Sequence, residues 1–248
     1  MRKKLIAISV LACSLLAMLF SFFNIVNWIE DNKKTKERIE IVQEVTKIEI
    51  NPVSTFLSVD FTELSKINDE VVAWIKVPET SVNYPVVKHK DNSYYLTHSY
   101  DKSFNYAGWI YTDYRNDIDD LVSNNIIYGH HMNDNSMFSS LVNYKNYSYY
   151  KNHKYIYFYT LRDGQTIEST YEIVIAFKTI AYSDKGFKYY NYTNFYDEQE
   201  FNSFVEKCHN LEFYNTGADL KYGDKLITLS TCEYSQKNGR MVIIAKKI

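Results

Sequence analysis

The sequence predicts a mainly β fold, a sandwich or closed barrel, preceded by helices. Three observations carry this. Eight apolar or alternating runs of strand length follow one another, at 73–77, 84–88, 108–113, 125–130, 155–160, 171–180, 225–231 and 241–246, with turn residues between them. Tyr and Phe number 24 and 14, and both residue types suit pleated, half-buried surfaces. With only 3 Pro and 7 Gly in 248 residues, no flexible linker divides the chain into separate folding units.

The N-terminus opens with Arg2-Lys3-Lys4, and residues 5–23 are apolar and uncharged. At about 1.5 Å per residue such a helix covers close to the ~30 Å hydrocarbon core of a bilayer. A cleaved signal peptide would have a shorter apolar region followed by small residues. Here Phe22 and Phe23 close the run, Asn24-Ile25-Val26 follow, and Trp28 stands where an interfacial anchor belongs. An uncleaved anchor is therefore expected, with residues 1–29 as tail and span. Lys33, Lys34, Lys36 and Arg38 follow the span, so basic residues flank both sides and charge alone leaves orientation open. Residues 30–49 are charged, with Ile39, Val42, Val45 and Ile48 at three-residue spacing, which predicts a stalk helix (domain 30–52) ended by Asn51-Pro52. Residues 61–68 predict one more short helix, within a body spanning 53–248.

A helix also interrupts the strands. Asp197 with Glu200 is an N-terminal capping pattern, and Phe201, Phe204, Val205, Cys208 and Leu211 then fall on one face. That face makes Cys208 a core side chain. The chain has 3 cysteines, too few for a disulfide framework. Cys13 lies in the apolar run, and Cys208 and Cys232 could pair or stay free. The net charge of −2 gives no electrostatic footprint for nucleic acid.

The chemistry concentrates in two stretches. Thr228-Leu229-Ser230-Thr231-Cys232-Glu233-Tyr234 reads as a strand over 225–231 that ends on a cysteine, and Arg240 opens the next apolar run across a short polar loop. A hairpin would bring thiol and guanidinium together, an arrangement suited to acyl transfer: a thiolate attacks a carbonyl and a fixed cation stabilises the oxyanion. Ile127-Tyr128-Gly129-His130-His131 is the second stretch, a strand ending in Gly-His that presents an imidazole, the usual activator of a thiol. Taken singly, each has a plainer reading as a core cysteine, a surface arginine or loop histidines. A zinc site built from His130, His131, Cys208, His209 and Cys232 lacks any C-x-x-C or H-x-x-x-H spacing. Phosphate-loop, dinucleotide and serine-hydrolase motifs are absent from the sequence.

Taken together, Tyr-Gly-His, Thr-Leu-Ser-Thr-Cys and the following Arg240 resemble the sortase family of Gram-positive cell-surface transpeptidases. Asn83-Tyr84-Pro85-Val86-Val87, Ser93-Tyr94-Tyr95-Leu96, Gly108-Trp109-Ile110-Tyr111-Thr112-Asp113 and the helix near 197–211 are similar to class B in particular. Ala73 departs from a position where Gly is common, and His131 stands beside the family histidine. The resemblance implies an eight-stranded sortase-type β-barrel with N-terminal helices and one helix inserted before the cysteine strand. It also implies a single-pass type II membrane protein with its catalytic domain outside the cell, and no cofactor. The implied reaction is cleavage after Thr in a C-terminal sorting motif of a secreted protein, through a thioacyl-enzyme. Transfer to an amine of peptidoglycan or its lipid-linked precursor follows. In the implied roles, Cys232 is the nucleophile, His130 the acid–base and Arg240 the oxyanion cation. Tyr128, Ser230 and Glu233 line the substrate site, and His131 is a bystander. A papain-like protease, in which Cys precedes His, and a non-catalytic adhesin on the same barrel are the rival readings.

Overall fold

All eight predicted runs become strands, and they close on one another. The computed structural model describes residues 2–44, 46–51, 54–118, 123–182 and 184–248. Two units are distinguished, residues 1–41 and 42–248.

The first unit is made by helix α1 (Arg2–Glu44), which runs on past residue 41. The predicted span and the stalk as far as Glu44 form one unbroken helix, because no Gly or Pro interrupts residues 2–44. It is long and apolar enough to cross a membrane, and its apolar side chains lie open, with Leu11 72% and Phe20 69% exposed. A continuous apolar surface of this kind is compatible with a single-pass anchor.

In the second unit, strand β1 (Thr46–Asn51) pairs antiparallel with β2 (Ser54–Val59). This corrects the stalk boundary, since Ile48 lies on a strand; Val45 and Pro52 fall outside the described residues. Thr46, Ile48 and Ile50 are β-branched and alternate with Lys47, Glu49 and Asn51. That period of two overlays the three-residue spacing, and pairing with β2 selects it. Helix α2 (Phe61–Ile67) follows, capped by the Asp60 carboxylate, which accepts from Glu63 N, and seated through buried Phe61 and Leu64.

The barrel strands are β3 (Val71–Lys76), β4 (Asn83–Val87), β5 (Tyr111–Thr112) and β6 (Asn124–Tyr128). Helix α3 (Tyr147–Asn152) leads to β7 (Tyr155–Arg162) and β8 (Gln165–Ile180). Helix α4 (Glu198–His209) precedes β9 (Leu226–Glu233) and β10 (Gly239–Lys247). The order around the closed barrel is β10-β8-β7-β3-β4-β5-β6-β9. Pairs β4–β5 and β6–β9 are parallel and the others antiparallel. Closure leaves no barrel edge unpaired. Strand β5 is much shorter than the predicted 108–113. Gly108 sits at φ +54°, where an added Cβ would fall 2.5 Å from the Tyr95 carbonyl oxygen, so the chain enters β5 through a left-handed kink.

Helix α4 behaves as its pattern predicts. The Asp197 side chain accepts from Glu200 N at 2.8 Å, and Phe201, Phe204 and Cys208 are fully buried. They pack with Phe177, Phe195 and Val242 in one core cluster, so the helix is bolted to the wall carrying β8 and β10. Leu211, past the helix end, is exposed instead. Cys208 is a free thiol that burial pushes well above the ordinary thiol range, which leaves it protonated and inert. Cys208→Ala should lower the unfolding free energy by about 1–2 kcal/mol through the small cavity it leaves. A denaturant melt reads that loss, and turnover should survive; loss of turnover with the fold intact would refute a purely structural Cys208.

Candidate active site

Strand β9 is the axis of the site. It pairs in parallel with β6, Tyr128 opposite Ser230, and antiparallel with β10, Arg240 directly opposite Cys232. Directly opposed residues project to the same face, so the guanidinium and the thiol share one side of the sheet. Ser230, two residues before Cys232, shares that face by strand periodicity. The strand runs on through Glu233, two residues beyond its predicted end, so Cys232 sits within the ladder and not on a loop.

His130 arrives from the neighbouring edge. Beyond β6 the chain continues through Gly129, whose N–H donates to the Ser230 carbonyl at 3.1 Å. A Cβ at Gly129 would collide with Ile110 and fall 2.8 Å from the Phe138 ring, so no larger residue fits there without displacing the core. The His130 backbone carbonyl accepts from Phe138 N at 2.9 Å, and its Nε2 lies 3.0 Å from the Leu96 carbonyl. A carbonyl only accepts, so Nε2 carries the proton and Nδ1 is left as the nitrogen that exchanges one. Burial pushes the imidazole below its ordinary pKa; the Leu96 hydrogen bond opposes this and the Arg240 charge adds to it.

His130, Cys232 and Arg240 line a single cavity of about 380 Å³, together with Tyr128 and Ser230. Arg240 has no carboxylate partner among the described residues. Its Nη1 donates to the Gly239 carbonyl at 2.9 Å, and its guanidinium carbon lies 5.8 Å from the Tyr182 ring centroid. Ser230 shares a 2.5 Å hydrogen bond with the hydroxyl of buried Tyr189, whose pKa burial pushes up to about 12. Tyr128 donates its hydroxyl to Asp113 at 3.0 Å. Glu233 is placed differently from the other expected site residues. It is buried, not among the cavity's lining residues, and bonded to Lys145 at 2.5 Å and Ser235 at 2.6 Å. Burial works against its charge, but Lys145 and Ser235 outweigh that and hold its carboxylate below the usual range.

Sequence reasoning assigned no role to several other lining residues. Asn92, Leu96, Asp113 and Arg115 line the cavity, as do Tyr182 and Tyr190. Asp113 is fully buried and holds Arg115 at 2.7 and 2.8 Å and Asn92 at 2.9 Å. Burial opposes the carboxylate, and these bonds hold its pKa below the ordinary value all the same. Leu96 and Asp113 fall inside the stretches 93–96 and 108–113 that carried the family resemblance. Tyr182, at φ +56°, stands in a loop with no motif to announce it.

Comparison with known proteins agrees with this geometry. The Sortase domain family matches residues 75–248. Staphylococcus aureus sortase B is 31% identical over 99% of this chain and 98% of its own length. The Staphylococcus aureus sortase B–substrate complex superposes with a TM-score of 0.68 at 31% identity, covering 87% of this chain and 94% of that one. A crystal structure of sortase B complexed with triglycine gives 0.69 at 31% identity over 87% and 94%. With a closed eight-stranded barrel and a thiol facing a guanidinium across one strand pair, the chain belongs to the sortase family among class B relatives, and is a cysteine transpeptidase that anchors proteins to the cell wall.

Proposed function

We propose that Cys232, His130 and Arg240 carry the transpeptidation. The Cys232 thiolate attacks the backbone carbonyl of Thr in a C-terminal sorting motif and forms a C–S bond. Negative charge moves to the carbonyl oxygen, beside the Arg240 cation. Collapse breaks the C–N bond, and His130 protonates the departing amine through Nδ1. An incoming amine then gives its proton to His130 and attacks the thioester, a new amide forms, and the thiolate is released. The opposed pairing of Arg240 with Cys232, in a cavity that His130 also lines, is the observation that supports this assignment.

Tyr128 and Ser230 help shape the pocket for the motif, while Glu233, tied to Lys145, braces the strand beneath the thiol. The acceptor is an amine of peptidoglycan or of its lipid-linked precursor; the triglycine complex of sortase B supports a small, unhindered amine in that role. Helix α1 anchors the chain, with the barrel outside the cell, where both secreted client and wall amine are found.

Burial of His130 disfavours the imidazolium, the form that protonates the departing amine.

The full chain in detergent, given a quenched N-P-x-T-x peptide and triglycine, should release fluorescence and yield an amine-linked product. Hydrolysis alone in the presence of triglycine would refute the transpeptidase reading. Cys232→Ala and His130→Ala should each reduce turnover by at least about 10³-fold, and Arg240→Ala by about 10²–10³-fold. Persistent wall anchoring in the Cys232→Ala strain would favour an adhesin. Nuclear magnetic resonance titration should place the His130 pKa below 6.5, so the acid limb of kcat/KM lies below 6.5 too. Arg240→Gln should move that titration upward by removing a repelling charge; a downward move would refute the electrostatic account.

A further inference from the structure

The residue beside the catalytic histidine does something specific. The β6–β9 ladder ends at the pair Tyr128–Ser230, and one further bond, Gly129 N to Ser230 O, extends it. Past that point the two chains separate, one into the loop that turns at Met137, the other into the hairpin before Gly239. Two hydrogen bonds bridge the gap, and both involve His131. Its Nδ1 lies 3.1 Å from the carbonyl oxygen of Cys232. In return, the Tyr234 hydroxyl donates to the His131 carbonyl at 3.0 Å. The two rings lie 5.0 Å apart, centroid to centroid, tilted by 34°.

The exchange is reciprocal: each segment sends one side chain to the backbone of the other. A carbonyl accepts only, so Nδ1 of His131 carries its proton, and this bond persists whether the ring is neutral or charged. The bridge joins the two halves of the site at their tips. One half carries His130, held on its far side by the Leu96 carbonyl; the other carries Cys232.

We propose that His131 and Tyr234 form a clasp that sets the separation of His130 from Cys232, which makes His131 a positioning residue and not a bystander. This rests on the roles proposed above for Cys232 and His130. The clasp touches no reacting atom, so it acts on the chemical step through geometry, where a displacement of about 1 Å can cost up to 10²-fold.

The test uses the full chain in detergent, the quenched peptide and triglycine. His131→Ala should lower kcat by about tenfold, the scale of one lost hydrogen bond, with KM within about twofold of the parent. His131→Asn places an amide N–H where Nδ1–H stood and should restore kcat to within about threefold of the parent. Tyr234→Phe keeps the ring and loses the hydroxyl, so it should lower kcat more mildly, and the double variant should fall short of the product of the two losses. An unchanged kcat in His131→Ala, or equal damage from Ala and Asn, would overturn the clasp. A second readout needs no substrate. Freed from the clasp, His130 should become more solvated, so its titration should move upward in His131→Ala and return in His131→Asn. A His130 titration that stays unmoved in His131→Ala overturns the clasp by itself. A parent enzyme that makes no amine-linked product, with the titration moving as stated, overturns the transpeptidase roles and leaves the clasp standing.

Discussion

Strand β9 is hydrogen-bonded along both edges, in parallel to β6 and antiparallel to β10, and the site depends on that double registration. A strand's side chains alternate between faces, so a slip of one residue would turn Cys232 away from the cavity and bring Thr231 in its place. Two flanking ladders make such a slip costly, because every backbone bond on both edges would have to be remade. Burial adds to the constraint: Ile227 and Leu229 on β9 and Met241 to Ala245 on β10 are all fully buried. Cys232 is thus held by backbone ladders on both edges of its strand, and Arg240 meets it through register.

Electrostatic balance around the cavity follows a similar economy. Asp113 is neutralised by Arg115 and Glu233 by Lys145, each at close range. Arg240 has no such partner among the described residues and rests against the Tyr182 ring. Its charge faces a cavity walled by Tyr111, Tyr128, Tyr189 and Tyr190 that screens poorly compared with water. The same charge, together with burial, disfavours the His130 imidazolium. Leu96 offsets part of this effect through its hydrogen bond to Nε2.

Particular elements show what a linear reading reaches. Helix α4 was legible because Asp197, Glu200, Phe201, Phe204 and Cys208 obey one local periodicity, and its capping bond and buried face follow directly. The strand pair around Cys232 was legible because two apolar runs flank a short polar loop. The stalk boundary failed where two periodicities coincide: Ile48 fits a three-residue spacing and a two-residue alternation alike, and pairing with β2 chose the second. Glu233 was expected at the substrate site from its position in the family motif. Strand alternation sends it to the other face, where Lys145, distant in sequence, supplies its charge partner.

The sequence by itself determined the residue types that acyl transfer requires, the strand and helix periodicities, the inert face of Cys208 and the apolar N-terminal helix. These are local properties, set by spacing along the chain and by the chemistry of single side chains. Tertiary structure alone decided which residues meet: Arg240 opposite Cys232, Leu96 beneath His130, Arg115 on Asp113, and His131 reaching the Cys232 carbonyl. Those contacts join positions far apart in the chain. They depend on barrel closure and strand register, which no local pattern encodes.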